Sequence, residues 1–250
     1  HARGPGRGRH ARPDHRRRSL RTLRRPEAHQ DGRPEGRRLR REEHPYTADQ
    51  LMGIAPIDIV GNDYLSKMNK ATAKAFEAMK NAASKDGIEL QVVSAFRSFD
   101  RQKAIYERKY RKYVDQGLTP EQAVEKIIEY STIPGTSRHH WGTDLDLIDG
   151  KPEAPNAVLE PEHFYGDGVF CPMREWMQQH AHDYGFVEVY TNHPQRSGFN
   201  HEPWHYSYKP SSKKYLKLLL NSDLEKLFKN KNLNGYQYFD KKFILFIYIY

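Results

Sequence analysis

The sequence predicts an α+β domain built round a largely antiparallel sheet. Three observations point that way. Apolar residues recur at helical spacing early in the ordered stretch, the strand-like segments are short and scattered, and no βαβ rhythm links them. In chain order, Asn62–Lys85 carries Leu65, Met68, Thr72, Phe76, Met79 and Ala83 at steps of three or four, and Asp86-Gly87 closes the helix. Ile88–Ser94 alternates and is β-branched, as a strand should be. Asp100–Val114 reads as a second helix with a partly polar face. Thr119, Pro120 and Gln122 supply a cap, a first-turn proline and a capping-box partner for a third helix reaching about Tyr130. Pro134-Gly135 breaks the chain. Gly142–Ile148 alternates as a strand, Met173–Tyr184 reads as a helix, and Phe186–Tyr190 and Trp204–Tyr208 as strands. No internal repeat is visible.

Charge divides the 250 residues unevenly. Residues 1–43 hold 15 Arg, no Lys and 6 acids, a net +9, and the other 207 residues hold 26 side chains of each sign. The basic pI therefore describes an arm, and the body offers no net-charge case for binding nucleic acid. Residues 1–43 are too poor in apolar side chains to offset their ordering entropy and are expected to be a disordered or artefactual arm. The ordered domain is expected over 44–220. Residues 221–250 turn to Lys, Asn and aromatics, a tail of doubtful origin. The first residue is His rather than Met, so a fragment or gene-model artefact is expected at one or both ends. A single cysteine, Cys171, excludes an internal disulfide and a Cys-rich zinc site. No apolar run approaches the roughly 20 residues that span a bilayer.

The chemistry concentrates in Ser137–Asp146 (SRHHWGTDLD) and His201–His205 (HEPWH). A zinc hydrolase needs three N/O ligands, an open position and a carboxylate able to take a proton from water. HEPWH fits H-E-x-x-H, with Glu225 as a conceivable third ligand. That motif requires a helix so that both His share a face, and Pro203 removes a donor and disfavours helical geometry at Glu202. Read as a loop entering a strand, the second stretch lets His205 ligate while Glu202 serves as the base. His139 and Asp146 then complete a His2Asp site. Asp144 and Asp146 share one face of their strand, where two carboxylates need a positive partner, and a metal would supply it.

With these residues in place, the chain resembles the zinc D-alanyl-D-alanine carboxypeptidases and dipeptidases of the VanY type, which share a fold with the hedgehog signalling domain. The resemblance rests on SAFRSFDRQ, PGTSRHHWGTDLDL and EPWHY in order, with GFVEVY before the last strand, and covers about 48–210. It implies a hedgehog/DD-peptidase-like α+β fold with one zinc ion per chain, held by His139, Asp146 and His205. Glu202 is implied as general base and Arg97 as the group that binds substrate or the tetrahedral intermediate. Ser137 and Gln102 are implied to line the pocket or support it. Asp144 stands where many members have Ala and is expected to orient a neighbouring ligand. Trp204 is expected to pack behind the site.

The implied reaction is removal of the C-terminal D-Ala from peptidoglycan stem peptides, or from a D-Ala-D-Ala-terminated precursor. A metal-activated water would attack, with Glu202 as base. An endolysin-like L-Ala-D-Glu peptidase and a non-catalytic zinc-stabilised binding module are the alternatives. The expected partner is the stem peptide or a D-Ala-D-Ala-terminated precursor, with no nucleic acid for the folded domain, no transmembrane segment and a monomeric chain. The substrate implies action outside the cytoplasmic membrane, in a bacterial periplasm or cell wall, although no signal peptide is visible.

Overall fold

The computed structural model describes residues 46–129, 131–196, 198–229 and 231–239. The arm expected over 1–43 and the last residues of the tail, 240–250, lie outside them. Helix α1 (Ala48–Leu51) opens on a capping box formed by Thr47 and Gln50. Strands β1 (Ile59–Val60) and β2 (Met68–Asn69) pair antiparallel and lead into α2 (Lys70–Lys85). The helix expected from Asn62 thus starts eight residues later. Asp63 Oδ1 accepts the N–H groups of Leu65 and Ser66 in a tight turn, and Asn69 caps α2 by accepting from the Ala71 N–H. These local bonds compete with helix and explain why Leu65 stays exposed while Met68 is buried from a strand.

Strand β3 (Leu90–Ser94) is followed by α3 (Phe99–Asp115) and α4 (Pro120–Ile127). The capping box at Thr119 and Gln122 forms as expected, and α4 ends short of Tyr130. Next come β4 (Asp144–Asp149), α5 (Cys171–His180) with a 3-10 turn over Ala181–Tyr184, and β5 (Phe186–Glu188). The chain continues through β6 (His205–Tyr208), α6 (Lys209–Leu220) and α7 (Leu224–Lys229). The main sheet has the order β3-β4-β6-β5 and every pairing in it is antiparallel. The α+β expectation holds.

Register decides which side chains meet. Asp144 lies opposite Ser207, Leu145 opposite Tyr206 and Asp146 opposite His205. Directly opposed residues share a face, so Asp144, Asp146, His205 and Ser207 project to one side and Leu145 and Tyr206 to the other. The apolar side packs with Phe76, Met79, Met173 and Trp176 of α2 and α5. At β3 the register shifts between Val92, paired with Leu147, and Ser94, paired with Asp146. That bulge turns Ser94 onto the polar face, a common use of an extra residue beside a site.

A second core gathers Leu51, Tyr106, Ile127, Trp141, Tyr215 and Leu219. Leu224, Phe228, Leu233 and Phe239 are buried in it as well, so packing continues past the edge at 220 that composition suggested.

Candidate metal centre

His139 sits in a 3-10 turn (Arg138–Trp141) that ends at Gly142, whose left-handed conformation (φ +64°) turns the chain into β4. The His139 Nδ1–H donates to the Ala95 carbonyl at 2.8 Å, because a carbonyl can only accept. Its Nε2 lone pair is thereby left facing Asp146, 3.4 Å from Oδ2. Burial lowers the pKa of His139, against the pull of Asp146, and favours the neutral ring that can ligate.

His205 is fixed from the other side. Its Nε2–H donates to Asp144 Oδ1 at 3.0 Å, which leaves Nδ1 3.1 Å from Asp146 Oδ1 and 3.5 Å from Glu202 Oε2. Despite that proximity, Asp146 Oδ1 is buried with no hydrogen-bond partner. The two atoms lie side by side without being aligned to share a proton, as ligands of one ion do. Ligand atoms about 2.1 Å from a tetrahedral ion stand roughly 3.4 Å apart. His139, Asp146 and His205 bring one ligand atom each to within 4.8 Å of one another, so the donor set and its spread fit a zinc ion.

The electrostatics agree. Burial alone would lower the pKa of His205, yet its bond to Asp144 and the adjacent Asp146 carboxylate outweigh that and push it up to about 10. Burial alone would raise Asp146, but His139 and His205 hold it well below the usual carboxylate range. The cluster therefore draws positive charge to this spot, and a divalent cation can replace the proton on His205.

Asp144 has a positive partner within the chain, which corrects the expectation that a metal balances both carboxylates. Arg138 Nε donates to Asp144 Oδ1 at 2.7 Å, and Thr143 Oγ1 and Ser207 Oγ donate to Oδ2 at 2.7 and 2.9 Å. Burial alone would raise its pKa, but Arg138 and His205 hold it far down. Arg138, Thr143 and Ser207 were missed by sequence reasoning. The adjacency of Arg138 to the histidines was the one available signal, since pairing with Ser207 depends on register.

Arg138, His139, Asp146 and His205 line a cleft of about 470 Å³, together with Arg97, Ser137, Tyr190, Glu202 and Trp204. Burial pushes the Glu202 carboxyl up to about 7, with Asp146 adding to it and His205 and Arg97 opposing. Arg97 donates through Nη1 to Gln102 Oε1 and through Nη2 to Ser94 Oγ, both at 2.9 Å, while its Nε is buried without a partner. Gln102 does not line the cleft. It is buried behind Arg97 and donates to the Thr132 carbonyl at 2.8 Å, so it steers the guanidinium. Trp204 is buried at the cleft wall and packs against Phe164. His140 also stays out of the cleft. It accepts from the Gly135 N–H and donates to the Arg97 carbonyl, and burial pushes its pKa down to about 3.

His201 lies apart from the cluster. Its Nδ1–H donates to the Tyr190 carbonyl at 2.8 Å and its Nε2 accepts from the Tyr165 hydroxyl at 2.6 Å. The segment from His201 to Trp204 is turn rather than helix, so the H-E-x-x-H geometry does not form.

Residues 65–211 match the family model described as VanY, D-alanyl-D-alanine carboxypeptidase. The chain belongs to this family. Among curated relatives, it is 31% identical over 161 residues to the carboxypeptidase-like protein YodJ of Bacillus subtilis, spanning 63% of this chain and 51% of that protein. It is 30% identical over 130 residues to a D-alanyl-D-alanine carboxypeptidase of Enterococcus faecalis, spanning 51% of this chain and 43% of that one. The chain thus spans about half the length of the curated relatives it matches. Solved structures also resemble it, two of them as follows. A vancomycin-resistance D,D-pentapeptidase VanY variant with Zn(II) gives a TM-score of 0.48 at 20% identity, covering 74% of this chain and 90% of that one. VanYB with D-alanine-D-alanine gives 0.49 at 21%, covering 71% and 91%.

Proposed function

We propose that this VanY-family chain is a zinc-dependent D-alanyl-D-alanine carboxypeptidase acting on peptidoglycan stem peptides outside the cytoplasmic membrane. The observation that carries the reading is the convergence of His139, Asp146 and His205 from three chain segments, with Glu202 beside them in one cleft. Family membership and the D-Ala-D-Ala peptidases among its relatives support the substrate class. One zinc ion per chain, held by those three residues, would supply Lewis acidity to the scissile carbonyl and to the attacking water.

Glu202 takes the proton of that water and delivers it to the leaving amine. A carboxylate raised towards neutrality suits both halves of this exchange. Arg97, held at two nitrogens by Gln102 and Ser94, grips the free carboxylate of the terminal residue through its remaining donors. Such an anchor distinguishes a chain end from an internal bond. Asp144 keeps His205 in the tautomer that offers Nδ1, and Arg138 keeps Asp144 ionised.

Mass spectrometry of purified muropeptides after incubation with the zinc-loaded protein tests the reading. Loss of one alanine mass is expected. Cuts nearer the glycan would mean an L-Ala-D-Glu endopeptidase, and unchanged muropeptides with zinc bound would mean a binding module.

A further inference from the structure

The lysines of α6 form a feature that the peptidase site does not use. Lys209, Lys213 and Lys217 recur at every fourth residue and Lys214 lies beside them, while the helix contains no acid. All four are exposed, and among the described residues their ammonium groups take part in no ion pair or side-chain hydrogen bond, although the Lys209 N–H donates to the Gly185 carbonyl at 2.9 Å. Lys214 lies 4.9 Å over the Tyr46 ring. With His182, Gly185, Val187 and Pro210 they line a groove of about 610 Å³ between α6 and the edge strand β5. His182 already has an acidic neighbour, with Nε2 3.2 Å from Asp183 Oδ1. Since residues 44–250 carry equal numbers of acidic and basic side chains, the stripe is local and not a share of a general excess.

We propose that this groove is a docking surface for a linear phosphodiester polyanion of the polyol-phosphate type. Helical rise spaces residues four apart by about 6 Å, so Lys209, Lys213 and Lys217 set three ammonium groups along about 12 Å. A polyol-phosphate chain repeats its charge at a similar interval, so successive phosphates meet successive lysines. The groove floor, Gly185, Val187 and Pro210, is apolar and accepts the carbon backbone of such a chain. A concave, one-chain-wide surface without protruding large aliphatics suits a strand better than a membrane plane. No Phe, Tyr or Trp lines it, so nucleobases would find no stacking platform. The surface is independent of the peptidase reading and stands or falls by binding alone.

Lysine footprinting on the full chain tests it. Residues 1–43 contain no lysine, so acetylation read by mass spectrometry reports on the body alone even if the Arg-rich arm also binds polyanions. With synthetic poly(glycerol phosphate) at 50 mM salt, Lys209, Lys213 and Lys217 should lose reactivity several-fold, while Lys74 and Lys85 on α2 should not. If three phosphates are neutralised, affinity should fall roughly 20-fold between 50 and 200 mM salt by counterion release at single-strand slopes. The combined variant Lys209→Gln, Lys213→Gln, Lys217→Gln should lose the salt-sensitive component. Uniform protection of all lysines, or none, overturns the proposal. Stronger protection by phosphatidylglycerol vesicles or an oligodeoxynucleotide overturns the choice of partner.

Discussion

At the scale of single residues, the site is a chain of dependence running from Arg138 through Asp144 to His205. Asp144→Ala should remove the acceptor that fixes the His205 tautomer and deprive the buried Arg138 guanidinium of its carboxylate partner. Breaking such a pair costs about 3–5 kcal/mol, and loss of an outer partner typically weakens metal affinity or activity about 10–100-fold. Thermal melting and zinc titration should show both effects in one variant. His139→Ala and Asp146→Ala should abolish stoichiometric zinc, whereas His201→Ala should keep it, as metal analysis of the purified proteins will read. An essential His201 with a dispensable His139 would restore the H-E-x-x-H scheme. Glu202→Gln should retain zinc and fold while turnover falls by about 10²–10⁴-fold. That His139, Asp146, His205 and Glu202 would lie together was readable, because the chemistry expected of them restricts both residue type and spacing. Arg138 was not, because its partners Asp144 and Ser207 come together only once β4 and β6 are in register.

Elements place these residues, and their ends matter more than their middles. Gly142 is the joint between the turn bearing His139 and strand β4. A Cβ there would stand 2.6 Å from the Asn69 backbone nitrogen, in a backbone conformation that L residues disfavour. Gly117 has a similar φ of +92° but nothing within 4 Å. Gly117→Ala should therefore cost only the conformational term of about 1–2 kcal/mol, and Gly142→Ala distinctly more. At roughly 2–4 °C per kcal/mol for a domain of this size, the difference is measurable by melting. Gly142→Ala should also weaken zinc binding, since the displaced turn carries His139. Equal losses for the two variants would mean that the close approach to Asn69 is not what requires glycine. The interiors of α2, α3 and β4 were legible from periodicity. The start of α2 was not, because the Asp63 turn and the Asn69 cap override an apolar pattern that runs on through Leu65. Nor was the β3 bulge, which alternation alone cannot reveal.

For the whole molecule, the question is where the cooperative unit ends. Composition placed the edge at 220, because residues beyond it look foreign in their Lys, Asn and aromatic content. The apolar residues there nevertheless keep helical spacing, Leu224 to Phe228, and with Leu233 and Phe239 they fill the core formed by Tyr106, Val124 and Ile127. Tyr106 also donates its hydroxyl to the Asn234 carbonyl at 2.8 Å, and Lys103 Nζ donates to the Lys231 carbonyl at 2.9 Å. Compositional bias and packing are separate properties, and packing decides what folds. Among the described residues, packing into this core reaches as far as Phe239. Burying a large apolar side chain contributes about 1.5–3 kcal/mol, so the four together contribute roughly 6–12 kcal/mol as an upper bound. That is comparable to the entire stability of about 5–15 kcal/mol expected of a domain. A protein cut to residues 44–220 should accordingly be aggregation-prone or lack a cooperative melt, while one cut to 44–239 should unfold sharply. Circular dichroism melts of the two, side by side with the full chain, decide the matter. A sharp melt for 44–220 at the full-chain temperature would show that residues 221–239 merely lie against a core complete without them.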